Sequence, residues 1–249
     1  MDEDKKPLLI GLAVAGVLGV GAAFYFKKPA APVLPPPAAP AAPPAPATPP
    51  AEPLPALSDS DNFIRAKLSA LIKSPALAGW LNTADLVRRA AAATALIADG
   101  GSPRDSLSFL APVGKFKTLK KNGKLVVDPK SFARYDAVAS AIDSLDAQGA
   151  AKLVEQADPL FQSACSELGA INCSFKDTLL RAIRHLAAAP VPEGDVALRA
   201  KVVSYAYADE RLEKLSKAQR HLLRMGPANE RKVQDKLRAL GRALGASDL

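Results

Sequence analysis

Phe116-Lys117-Thr118-Leu119-Lys120-Lys121-Asn122-Gly123-Lys124-Leu125-Val126-Val127 decides between an all-helical domain and an α+β one. Asn-Gly suits the two positive-φ positions of a type I′ turn, so the stretch predicts a β-hairpin over 116–127. An isolated hairpin is marginal in water and needs a further strand. Val202-Val203-Ser204-Tyr205-Ala206-Tyr207 reads as that strand, giving a small three-stranded antiparallel sheet.

Around the hairpin the pattern is helical. Phe63, Ile64, Leu68, Leu71 and Ile72 follow the cap residues Ser58–Asp61, and Pro75 ends the run. A short helix through Trp80 and a longer one from Leu86 to Ile97 come next. Asp128-Pro129 opens a helix expected to run through Tyr135 to Leu145. Asp146 caps another, which Pro159 kinks or splits. Ser174 to Asp177 resembles a capping box, Ser216 caps a helix through Met225, and Asn229 caps a final basic helix. The expected fold is α+β and mainly helical: a compact domain of seven or eight helices with the small sheet, over 56–249.

The N-terminal part is different. After a short tail (1–7), Leu8–Phe26 is a run of nineteen residues without charge, flanked by Lys5-Lys6 and Lys27-Lys28. At about 1.5 Å per residue it covers roughly 28 Å, close to a bilayer's hydrocarbon thickness. It is longer than a secretory signal's apolar region and lacks a small-x-small end. It reads as a single-pass anchor. The basic balance, with the α-amino group, favours an N-terminus inside and the domain outside, which in a bacterium is the periplasm. Gly11, Ala15, Gly19 and Ala23 lie on one helix face, as in a homodimer interface; such residues are also common in any membrane helix. Residues 27–55 form a disordered spacer: thirteen of the residues 29–55 are proline. At about 3.1 Å per residue it reaches roughly 80 Å.

Four basic and four acidic residues fall in the first 55, so the formal charge of +8 belongs to the domain. Candidate contacts for an anionic partner are Lys115, Lys117, Lys120, Lys121 and Lys124 on the hairpin. Arg220, Arg224, Arg231, Lys232, Lys236 and Arg238 join them at the C-terminal end. A solvated basic surface explains the same residues, and lysine also protects exposed strand edges. Apart from Phe116, the hairpin lacks aromatics for base stacking, which disfavours nucleic acid. DNA binding would also need the opposite membrane orientation. Cys165 and Cys173, eight apart, read equally as a disulfide and as two half-buried thiols.

Catalytic signatures are lacking: no glycine-rich phosphate loop, no G-x-S-x-G, no HExxH. His185 and His221 stand alone, and no spacing marks a metal site or a cofactor. Asp128, Asp136, Asp143 and Asp146 read as caps and solvated faces. Glu155 and Asp158 share a helix face at i, i+3, a pair indistinguishable from surface charge.

Several landmarks recur in order: Leu57-Ser58-Asp59, Trp80-Leu81, Leu86-Val87-Arg88-Arg89, Phe109-Leu110-Ala111-Pro112, and Asp128-Pro129 with Ser131-Phe132 and Tyr135-Asp136. Pro159-Leu160-Phe161 and Leu222 to Pro227 with Asn229 complete the set. Together they resemble the bacterial family catalogued as domain of unknown function number 3014, over roughly 51–245. The resemblance implies an anchor, a proline-rich spacer and one domain. It implies no activity, ligand or catalytic residue.

The reading that follows is a non-enzymatic envelope protein. Its anchor sits in the lipid of a bacterial inner membrane, and its domain binds an envelope protein or an anionic wall polymer. The alternative is an envelope hydrolase with an unrecognised site.

Overall fold

The computed structural model describes residues 53–75, 77–169 and 173–249. The expected anchor over 8–26, with Gly11, Ala15, Gly19 and Ala23, and the spacer as far as residue 52 lie outside the described residues. Among the described residues no helix is long and apolar enough to cross a membrane.

The described chain opens with a 3-10 turn at Leu57–Asp59, then α1 (Ser60–Leu71), α2 (Leu77–Trp80) and α3 (Leu86–Ala98). A second 3-10 turn, Ser108–Leu110, precedes β1 (Thr118–Lys121) and β2 (Lys124–Val127). Next come α4 (Pro129–Ala133), α5 (Asp136–Asp143), α6 (Ala147–Gln156), α7 (Asp158–Glu167) and α8 (Phe175–Ala187). The second hairpin is β3 (Leu198–Ala200) and β4 (Tyr205–Tyr207), followed by α9 (Glu210–Glu213), α10 (Lys217–Leu223) and α11 (Pro227–Ala243). The fold is mainly helical α+β, as the sequence pattern implies.

α8 is the common wall of the core. Phe175 and Leu179 belong to a cluster with α1, α3, α6 and α7, built on Ile64, Val87, Leu153 and Phe161. One turn on, Ile183 packs with Ala150, Ala151, Leu240 and Leu244 from α6 and α11. Leu186 then joins Ala139, Leu222, Leu223 and Val233. Residues three and four apart on one stripe thus tie three clusters into one interior. Phe161 and Phe175 stack with ring centroids 3.7 Å apart.

The first hairpin forms as expected. Asn122 and Gly123 take φ of 50° and 74°, and Thr118 pairs with Val127 and Lys121 with Lys124. Ser131, 1% exposed, secures its root: Oγ accepts from Lys117 N (2.7 Å) and donates to Lys117 O (2.8 Å). The expected third strand is different. Residues 202–207 do not form one strand, and they do not pair with β2. Val202 and Val203 sit fully exposed in the turn between β3 and β4, where the Lys201 N–H donates to Ser204 O. Tyr205–Tyr207 pairs with Leu198–Ala200 instead. The two ribbons share no strand pairing beyond an antiparallel bridge between Val126 and Ala197, backed by Val127 N donating to Val196 O. Two two-stranded sheets therefore replace the single three-stranded one.

Helices are also more numerous than expected, eleven among the described residues. The run from Asp128 splits at Arg134-Tyr135, and the run from Asp146 splits at Ala157 just before Pro159. Asn229 is not a cap. Gly226, at φ +83°, precedes a helix begun by Pro227, and Asn229 turns inward to donate to Asp136 Oδ1 (2.8 Å) and Met225 O (3.1 Å). One cap is long-range: Asp61 of α1 accepts from the N–H groups of Asp85 and Leu86, opening α3 (both 2.9 Å).

Candidate functional site

β4, α4, α9 and α10 enclose a cleft of about 430 Å³. Apolar surface comes from Phe116, Val127, Phe132, Leu198 and Val203, and aromatic surface also from Tyr205 and Tyr207. Phe116 and Tyr205 lie 5.6 Å apart between ring centroids. Its charges are Arg134, Arg220, Arg224 and a single carboxylate, Glu213.

Glu213 is already occupied. Its Oε2 accepts from the Tyr207 N–H at 2.9 Å, and its Oε1 faces Arg220 Nη1 at 3.4 Å and Lys201 Nζ at 3.5 Å. The Tyr207 N–H first, then Lys201 and Arg220, hold its pKa below the usual range. Arg134 donates to the carbonyls of Ser131 and Gly114, and its guanidinium lies 5.9 Å from the Phe116 ring centre and 5.6 Å from that of Tyr135. Arg224 is exposed and meets His221 Nδ1 at 3.5 Å. Arg134 and Arg224 therefore carry charge with no acid beside them, the arrangement that receives an oxyanion.

The surroundings stay uncharged at neutral pH. Burial pushes the Tyr207 phenol up to about 12, against the pull of Arg224 and Arg220. Glu230, on the first turn of α11, is fully buried, and neither carboxyl oxygen has a hydrogen-bond partner. Burial pushes its pKa up to about 8, so the group is protonated at pH 7. Arg220 Nε is likewise buried without a partner.

Both histidines face serines. His185 Nε2 lies 2.7 Å from Ser216 Oγ, and His221 Nε2 lies 2.7 Å from Ser102 Oγ. With His221 Nδ1 accepting from Arg224, its proton sits on Nε2 and is donated to Ser102. Burial, then Arg224, Arg104 and Arg220, lowers this imidazole to about 4. A nucleophilic serine needs a base backed by a carboxylate; this one is backed by a cation.

Of the basic residues singled out in the sequence, Arg220 and Arg224 line the cleft. The five hairpin lysines are all exposed and do not line it; Lys121 pairs with Asp195 at 2.9 Å. Arg231 is exposed outside it, while Lys236 and Arg238 donate to the carbonyls of Leu145 and Ala187. Glu155 ends up on α6 and Asp158 on α7, so they share no helix. Among the described residues no His, Cys, Asp and Glu cluster could hold a metal. Cys165, buried in α7, is joined to Cys173, with Cα atoms 5.9 Å apart. Arg134, Tyr207, Glu213 and Glu230 carried no sequence signal as site residues. The only hint was that Arg134 lies between two landmark pairs, Ser131-Phe132 and Tyr135-Asp136.

Neither a curated protein nor a solved structure matches this chain. The model of the family described as "Protein of unknown function (DUF3014)" matches residues 86–241, a span that takes in the arginine cleft, and the chain belongs to that family.

Proposed function

We propose that this chain is a non-enzymatic binding module, anchored in the bacterial inner membrane by residues 8–26. Its partner is an envelope protein or wall polymer that presents an anionic group on an apolar body. The observation that carries this reading is the cleft, where three arginines face one carboxylate already held by Tyr207 and Lys201. Phe116, Tyr205 and Val203 supply the surface for the apolar body. No histidine and no second carboxylate line it, which favours binding over hydrolysis. The anchor and spacer, if they place the domain outside, hold this cleft up to roughly 80 Å from the bilayer.

The test uses the full chain in neutral-lipid vesicles, with isolated wall fragments as probe. An Arg220→Glu, Arg224→Glu double variant is expected to lose at least tenfold in affinity, and Arg231→Glu to keep it. Equal binding by the double variant and the wild type would overturn the reading. A reporter active only in the periplasm, fused after Leu249, tests the orientation separately, and an inactive fusion would remove the envelope address.

A further inference from the structure

A second cavity, of about 370 Å³, lies inside the helical core between α1, α3, α5, α6, α7 and α8. Its lining is almost wholly aliphatic and aromatic; Arg89 is its one charged residue and Thr94 its one hydroxyl. Water is unstable in such a space, which offers too few polar partners. Covering such an apolar lining is favourable in proportion to the area removed from water. The volume lies within the range of small-molecule sites, which are apolar with one or two placed polar groups.

Arg89 is placed as a head-group ligand. It is half-buried, its Nε donates to Ala84 O (2.9 Å), and its Nη1 donates to Ser106 O (3.4 Å). No carboxylate pairs with it. The segment after Ser106 supplies Leu107, Phe109 and Leu110 to the lining, so the arginine stands where this connection crosses the cavity. A guanidinium oriented by two backbone carbonyls and lacking an acid matches a carboxylate or phosphate.

We propose that the cavity is a binding site for a single-chain amphiphile with an anionic head. The acyl chain fills the apolar interior and the head meets Arg89. A cavity of about 150 Å³ holds a benzene ring, so by proportion one of about 370 Å³ takes roughly fifteen carbons, enough for a twelve-carbon chain. The proposal is independent of the arginine cleft and of its partner.

Trp80 lines the cavity and is the only tryptophan in the chain. It reports occupancy directly. The full chain in neutral phosphatidylcholine vesicles is titrated with dodecanoic acid carrying bromine on its chain, and quenching of Trp80 is followed. Saturable quenching is expected, at least tenfold weaker for the methyl ester of the same acid and for Arg89→Ala. A brominated lysophospholipid of equal chain length serves as the second arm, and the tighter of the two identifies the head group. Ala141→Leu, which adds three carbons to the lining from α5, is expected to weaken quenching at least tenfold and raise the Tm. Two results would overturn the proposal: no saturable quenching in either arm, or undiminished quenching in a folded Ala141→Leu chain. Equal affinity for acid and ester would overturn the role of Arg89.

Discussion

At the scale of single residues, buried Glu230 and half-buried His221 shape the pH response and act in opposite directions. Glu230 has its folded pKa raised from 4.5 to about 8, so its contribution is full below 4.5 and is lost as pH rises through 8. His221 has its folded pKa lowered from 6.5 to about 4, so its contribution is full above 6.5 and is lost as pH falls through 4. Between roughly pH 4.5 and 6.5 the slopes cancel. From 6.5 to 8 only Glu230 remains, and one proton over that interval corresponds to about 2 kcal/mol. Glu167, Asp209, Glu213 and Asp248, all held below their usual range by hydrogen bonds, act at lower pH. Urea denaturation at fixed ionic strength should therefore show a plateau and then a decline toward pH 8. In Glu230→Gln the decline disappears and stability instead rises with pH between 4.5 and 6.5. A Glu230→Gln chain that still declines above pH 6.5 would contradict this assignment. None of this is visible in Asn229-Glu230-Arg231-Lys232, which reads as the capped start of a basic helix; burial is a property of the packing around it.

At the scale of elements, the first hairpin depends on Ser131 as well as on its turn. Replacing Ser131 with Ala removes two hydrogen bonds to Lys117 in a site 1% exposed. The expected cost is about 1–3 kcal/mol, with faster amide exchange in β1 and β2. Unchanged exchange there would show the hairpin to be self-sufficient. What was legible at this scale follows from where the determining contacts lie. Asn122-Gly123, Asp146, Ser174 and Ser216 act within three residues of themselves, and each forms the turn or cap expected of it. Val202-Val203 has the chemistry of a strand yet finds no partner, because β4 pairs across its own tight turn. Asn229 has the chemistry of a cap, but Pro227 had already started the helix and Met225 O offered a buried acceptor. The cleft was half legible: Arg220 and Arg224 stood out by charge, whereas Phe116 and Arg134 reach them only through the tertiary fold.

At the scale of the whole molecule, the Cys165–Cys173 bond closes a loop of eight residues between α7 and α8. Loop-closure entropy for that length corresponds to about 2–3 kcal/mol. Reductant should lower stability by that amount in the wild type and leave a Cys165→Ser, Cys173→Ser chain unaffected. Equal stability with and without reductant would show that the bond does not contribute.

α11 has a consequence of another kind. Gln234 donates to the carbonyls of Leu186 and Ala189, Lys236 to Leu145, and Arg238 to Ala187. Leu186 and Ala187 belong to the last turn of α8, and Ala189 and Leu145 lie two residues past the ends of α8 and α5. During synthesis, α5 and α8 emerge before the side chains that complete them. Without α11, the clusters around Leu223 and around Ile183 lose one wall. The ends of α5 and α8 are therefore completed by side chains at least 45 residues further along the chain.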